Sequence, residues 1–434
     1  MSVTEYEPVA IGPKYSSHPK TLTRQQADAL MRYGEIRGIR LLEYVSSRQV
    51  RPQSYVGVVA LDGLVLEILP KIEGTCDEPE VRHNLLMMIG VSFGLDIRES
   101  EVTRLGTQPR TLLDFLVTLY CRRLLLLARQ GLVKSYNEVE DDLSVMRGKL
   151  VATQQFTRNA VHPERLACRF WEFSEDNLLN RTLKGALLKV RPLIHDFEAQ
   201  RLATELLFLL DDVDDSVDVR AAERLVLDRT NERYKPIFEL AKLILRQLSP
   251  DVTSGSIVSF ALLFDMNELF EQYIGIMIAR TMRGTELHAR LQARGYHLAR
   301  DTADRSRKFP LIPDIVVTQR DKAVGVIDTK WKRLTLAKAR LGVQPGDMYQ
   351  MVAYARGLAC KRIVLLYPHN VGVGNEPGPL IRYQLEPEAG VDVCIESISL
   401  AKLASVPEQC RSLVSRLTGV SSSYQPASLD AALC

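Results

Sequence analysis

The amino-acid sequence predicts a multidomain α+β protein: a β-containing N-terminal domain, a helical middle and a C-terminal α/β domain. Three observations lead there. Residues 56–72, VGVVALDGLVLEILPKI, are two apolar, β-branched runs around Asp62-Gly63, the strongest short hairpin signal. From about residue 100 to 250, apolar residues recur at three- and four-residue spacing, the helical period. From about residue 255 the order becomes helix, strand, strand, helix, strand. The expected domains are residues 1–95, 96–254 and 255–415, followed by a mobile tail, 416–434.

The elements follow in chain order. Thr23 with Gln26 forms a capping box that opens a helix, and Gly34 is expected to end it. In the middle, TLLDFLVTLYCRRLLLLARQG ends at Gly131, and SEDNLLNRTLKGALLKV takes Ser174 as its N-cap. The acidic run DDVDDSVDV lacks the glycine and terminal glutamate of a calcium loop, so it reads as a solvated turn. Then FDMNELFEQYIGIMIARTM predicts a helix, LIPDIVVT and AVGVIDTKW predict strands joined by Gln319 to Lys322, DMYQMVAYARG predicts a helix and RIVLLYP a buried strand.

Composition excludes several classes. No run of 18 apolar residues exists, so no membrane span is expected. The N-terminus has no basic segment followed by an apolar one, which argues against a signal peptide and for a cytoplasmic protein. Seven scattered cysteines include no CxxC pair, and the histidines show no ligand spacing, so disulfides and zinc sites are not expected. Any metal must then be held mostly by carboxylates, which points to a hard ion such as magnesium. There is no phosphate-binding P-loop sequence, and VGVGNEPG contains a proline with no helix start behind it, so no nucleotide site is expected in the chain. The net charge is only +3, yet eight Arg and Lys residues lie between Arg280 and Lys308 against Glu286, Asp301 and Asp304. Such a stretch is either a solvated face or one that attracts phosphates.

The chemistry concentrates on the two strands. Side chains alternate faces along a strand, so Asp328 and Lys330 share one, and pairing the strands brings Asp314, expected in mid-strand, beside Asp328. Two carboxylates at one spot repel unless a cation neutralises them, and a carboxylate-held magnesium activates water for phosphodiester cleavage. Lys330 then positions or deprotonates that water, or stabilises developing negative charge; the residues leave the three roles open. Each residue also has a bland reading, a solvated strand-edge Asp or a surface charge pair. Glu271, one turn beyond an Asp265–Glu268 capping box, is either a third metal ligand or a solvent-facing acid. Gln350 and Tyr354, four apart on one helix face, are candidates to touch a DNA backbone, although an Asp347–Gln350 capping box also explains Gln350.

These segments are similar to a known family. LIPDIVV, VIDTKWK and DMYQMVAYA resemble the PD-(D/E)xK nuclease superfamily with its QxxxY extension. FALLFDMNELFEQYI resembles the start of the nuclease domain in the McrC family, the endonuclease subunits of McrBC modification-dependent (5-methylcytosine) restriction systems. VGVVALDGLVLEILPKI, YNEVEDDLSVMRGKL and NLLNRTLKGAL resemble its N-terminal and middle regions. The resemblance implies a C-terminal α/β PD-(D/E)xK nuclease domain behind an N-terminal partner-binding domain. It implies a magnesium-dependent endonuclease acting on double-stranded, methylated DNA. Its partner would be a McrB-like hexameric AAA+ GTPase, which carries the GTP and whose central channel the N-terminal domain enters, stimulating hydrolysis. It carries metal binding onto Asp314, Asp328 and Glu271, catalysis onto Asp314, Asp328 and Lys330, and DNA contact onto Gln350, Tyr354 and Lys332. Two other readings stay open: a stand-alone repair or recombination nuclease, and a regulatory bridge whose main task is to activate a motor.

Overall fold

The paired strands expected from the sequence form the centre of a six-stranded sheet in the computed structural model. Its order is Leu287–Leu291, Ile315–Gln319, Lys322–Thr329, Arg362–Pro368, Asp392–Ile398, Gly378–Gln384. The first three strands run antiparallel, with Ile315 opposite Ile327 and Val316 opposite Val326. Lys322–Thr329 then pairs in parallel with Arg362–Pro368, which is why a helix, Pro345–Leu358, intervenes between them. The structure describes residues 1–13, 20–61, 64–74, 77–95, 112–162, 164–194, 196–247, 258–386 and 390–419.

Alternation sets what each face of this sheet carries. Val316, Val326, Leu365 and Ile395 are buried together with Met351 and Tyr354 of the Pro345–Leu358 helix. Each such apolar side chain stabilises the fold by about 1.5–3 kcal/mol. Asp328 lies two residues beyond Val326 and opposite Leu365, so it enters this same apolar layer. The sheet therefore delivers a carboxylate into a place where burial penalises its charge.

The chain divides into two compact units. One comprises Met1–Gly57, Leu64–Gly106 and Leu263–Cys434; the other comprises Val58–Gly63 and Thr107–Leu262. Most of the stretch expected to stand alone as residues 1–95 thus shares a unit with the six-stranded sheet. Named bonds hold it there: Asn84 Nδ2 donates to the carbonyls of Leu400 and Ala401, both at 2.9 Å, and Trp331 Nε1 donates to Glu5 Oε1 at 2.9 Å. The same unit contains a four-stranded sheet, Thr21–Leu22, Val9–Ile11, Gln49–Pro52 and Leu42–Ser46 in spatial order. The Thr23–Gln26 capping box is present, but the helix runs on through Gly34 to Arg37 and ends at Gly38. Gly38 adopts φ 66°, which favours glycine, whereas Gly34 packs under the backbone of Ile39 and keeps a helical conformation. The strands flanking the expected hairpin turn are Tyr55–Leu61 and Leu64–Leu69; Asp62 and Gly63 lie outside the described residues.

The second unit is helical as expected, built on Leu112–Arg129, Leu178–Val190, Phe197–Leu209 and Lys235–Gln247. Buried tyrosines tie these together: Tyr120 Oη donates to the Leu183 carbonyl at 2.7 Å, and Tyr234 Oη to Gly131 at 3.0 Å. The unit also holds a three-stranded antiparallel sheet that the helical reading did not include, Ser135–Leu143 against Leu166–Ser174, with Lys149–Leu150 on the far edge. Alternation in SYNEVEDDL marks the strand, with half-buried and exposed residues alternating along its first six positions. Ser174 ends this sheet rather than capping the next helix. Asn177 is the N-cap, accepting from Asn180 N at 3.0 Å. Cys121, Cys168, Cys360 and Cys410 are free, buried thiols. No helix among the described residues is long and apolar enough to cross a membrane. The tail from residue 420 lies outside the described residues, and the last described helix is Val406–Thr418.

Candidate metal-dependent hydrolytic site

Asp314 does not sit in mid-strand. It is the residue just before Ile315–Gln319, because Pro313 and Asp314 have turned to meet another segment: Gln292 N donates to Asp314 O at 2.8 Å and Ala293 N to Pro313 O at 3.2 Å. The register still places Asp314 next to the end of Lys322–Thr329. Its Oδ2 accepts from Thr329 N at 2.7 Å and from Thr329 Oγ1 at 2.9 Å. Thr329, the residue between Asp328 and Lys330, thus clamps the first carboxylate through two donors. The sequence signal for this was the Thr inside DTK, which has no value until the strands are paired.

Asp328 is completely buried, and Lys330, on the same face, makes an ion pair with its Oδ2. Asp328 Oδ1 is buried with no hydrogen-bond partner. Burial first, and then the neighbouring Asp314 carboxylate, raises the Asp328 carboxyl from its ordinary 3.8 to about 7. Asp314 is also raised, by burial, against the opposing pull of its two Thr329 hydrogen bonds and the Lys330 charge. The Lys330 ammonium is raised by Asp328 and Asp314, although burial alone lowers it. The three groups therefore hold one another's charge, and the backbone of Lys330 is fixed by its N–H to Leu366 O at 2.9 Å.

Glu271 comes from the helix Met266–Thr281 and faces the same cluster. Burial and the Asp314 charge raise its carboxyl to about 7, with Asp328 adding to the effect. A hydrogen bond from Gln292 Nε2 holds its Oε1. Gln292 was absent from the sequence-derived set, yet it links Glu271 by its side chain to Asp314 by its backbone. The expected Asp265–Glu268 capping box does not form: Asp265 caps the helix by accepting from Asn267 N at 2.9 Å.

The last helix of the site also differs in detail. It starts at Pro345 behind Gln344, so Asp347 lies in its first turn and caps nothing. Asp347 instead takes the Lys332 ammonium on both oxygens at 3.0 Å. Gln350 Nε2 donates to Tyr354 Oη at 2.7 Å, and Tyr354 Oη donates to the Ile312 carbonyl at 3.0 Å. Tyr354, expected to reach DNA, is only 3% exposed. In this place it braces the turn that presents Asp314, and only Gln350 and Lys332 keep exposed surface.

A divalent cation fits this donor set. A fully buried carboxylate oxygen without a partner, beside a second carboxylate, is an energetic liability that a hard cation removes. Among the described residues no group of three or more His, Cys, Asp and Glu side chains stands ready to coordinate a metal. Two carboxylates with water suffice for magnesium, which keeps much of its hydration. Asp314 and Asp328 are the two neighbouring carboxylates that could serve in this way, and Glu271 is bonded to Gln292.

The family model described as McrBC 5-methylcytosine restriction system component matches residues 50–368. Among solved structures, the chain is similar to a chain of a refined half-complex from a tetradecameric assembly of Thermococcus gammatolerans McrB AAA+ hexamers with bound McrC. The two share 20% identity and a TM-score of 0.66, covering 96% of this chain and 99% of that one. It is also similar to a chain of the cryo-EM structure of the Thermococcus gammatolerans McrBC complex, at 22% identity and a TM-score of 0.48, covering 65% and 88%. No curated protein matches the chain.

Proposed function

This chain belongs to the McrBC 5-methylcytosine restriction system family, and from that premise we propose that it is the magnesium-dependent endonuclease subunit of a GTP-driven restriction complex. It cuts double-stranded, methylated DNA and stimulates a McrB-like AAA+ GTPase hexamer that supplies recognition and translocation. The observation that carries the nuclease reading is the Asp328 carboxylate: completely buried, with one oxygen orphaned, flanked by Asp314 and paired with Lys330. The partner reading is supported by the likeness to a chain from an assembly of McrB AAA+ hexamers with bound McrC.

Magnesium held by Asp314 and Asp328 would supply a nucleophilic water at neutral pH and neutralise charge on the phosphate. The remaining work belongs to the chain. Thr329 fixes the Asp314 carboxylate with two hydrogen bonds, so its free oxygen has one direction. Lys330 pairs with Asp328 on the same strand face, and a protonated lysine there would donate to an oxygen that gains negative charge. Tyr354 and Gln292 each hold the Asp314 turn, through the Ile312 and Asp314 carbonyls.

The test is cleavage of methylated duplex DNA with magnesium, GTP and the AAA+ partner. Asp314→Ala and Lys330→Ala are expected to abolish cutting while leaving stimulation of the partner's GTPase intact. Normal cutting by Asp314→Ala would remove the site assignment, and loss of GTPase stimulation in both variants would point to misfolding or to a different division of labour.

A further inference from the structure

The basic stretch noted in the sequence folds into a feature that the site itself does not use. Tyr296–Arg300 and Arg307–Leu311 form a two-stranded antiparallel ribbon outside the main sheet. Its root is anchored. Leu311 is buried against Gly357 of the Pro345–Leu358 helix, and the next carbonyl, Ile312 O, is the one held by Tyr354. Its tip is exposed and cationic: Arg300, Arg305, Arg307 and Lys308 all face solvent.

Three features of the tip point to an anionic ligand. Arg300 and Arg307 are directly opposite each other in the ladder, and like charges in that position destabilise a ribbon. Among the described residues no acidic side chain pairs with any of the four cations. The two nearby acids are turned to the backbone of the turn instead, with Asp301 Oδ1 accepting from Ala303 N at 2.9 Å and Asp304 Oδ1 from Ser306 N at 2.8 Å. Arg305 is also held at φ 62°, a left-handed conformation that costs a non-glycine residue energy. The fold thus spends stability to present unpaired cations six to fourteen residues before Asp314 and joined to its turn through Leu311 and Ile312.

We propose that this ribbon is a DNA-backbone clamp, in which Arg300, Arg305, Arg307 and Lys308 contact phosphates flanking the bond presented to Asp314 and Asp328. The inference rests on the nuclease reading and names the surface by which the substrate is held. From Leu311 to Arg307 the strand rises about 13 Å, roughly four base pairs of duplex. The contacts are to phosphates, so they position the duplex without reading its sequence.

The experiment is equilibrium binding of the full-length chain to a fluorescent 30-base-pair duplex, by anisotropy, across a salt series in EDTA. Replacing the four cations by glutamine is expected to weaken binding at least tenfold at low salt. It should also flatten the dependence of log K on log salt by about three to four, near 0.9 for each phosphate that is no longer neutralised. Arg300→Lys with Arg307→Lys is expected to keep the wild-type slope, which separates charge from shape. Matching thermal unfolding of all three proteins shows that the exposed tip was changed without loss of fold. An unchanged affinity and slope in the glutamine variant overturns the clamp. So does unchanged DNA binding combined with lost binding to the AAA+ partner, which would make the ribbon a protein-docking surface. Failure of the nuclease reading shows separately, as wild-type protein that binds duplex through the ribbon yet never cuts it with magnesium and partner.

Discussion

Glu5→Gln should make this protein more stable at alkaline pH, and the reason lies in one buried carboxyl group. Glu5 is 1% exposed, and its Oε2 has no partner. Oε1 accepts from Lys71 N at 2.9 Å and from Trp331 Nε1 at 2.9 Å. Burial, opposed by those two hydrogen bonds, raises the carboxyl from its ordinary 4.5 to about 7. Between those values the folded protein retains a proton that the unfolded chain has released. Stability from this group therefore falls as pH rises from about 4.5 to 7, and the full cost is present above 7. At about 1.4 kcal/mol for each tenfold change in proton affinity, that cost is on the order of 3 kcal/mol. Glutamine keeps the Oε1 acceptor and has no proton to lose. Thermal unfolding of wild type and variant at pH 5 and pH 8 measures the effect. The variant is expected to gain several degrees at pH 8 and close to none at pH 5. A difference that does not change with pH, or a variant less stable at pH 8, would refute the reasoning.

Two further substitutions probe the frame of the site. Tyr354→Phe removes the hydroxyl between Gln350 and Ile312; it should cost about 1 kcal/mol in denaturant unfolding and slow cleavage while leaving duplex affinity unchanged. A Cβ at Gly357 would overlap Leu311 Cδ1, so Gly357→Ala should destabilise the fold by about 1–3 kcal/mol and loosen the ribbon's root, measured as faster proteolysis between residues 300 and 307.

Trp331 shows why Glu5 escaped the sequence. It follows Lys330 directly, packs its ring 5.3 Å from that of Phe270, and reaches a glutamate 326 residues earlier. No local pattern reports such a contact, because the energy that selects it comes from burial in the folded unit. The capping boxes teach a related lesson. Thr23–Gln26 formed because its spacing lies at a helix start. Asp347–Gln350 did not, because Pro345 starts the helix two residues earlier and Lys332 captures Asp347. A three-residue spacing is a necessary condition for the box, and the position of the helix end decides the rest.

What the sequence by itself determined was the alternation that put Asp328 and Lys330 on one strand face, the strand, strand, helix, strand succession around them, and the helical period of the middle. These are local or period-two properties, so they survive without knowledge of contacts. Tertiary structure alone decided which groups complete the site. Thr329 became a clamp, Tyr354 a brace, Gln292 a link to Glu271, and Asp314 left its strand to meet Gln292. It also decided that Asp328 is buried deeply enough for its carboxyl to rise to about 7. Charge depends on its surroundings, and those surroundings exist only once strands distant in sequence have paired.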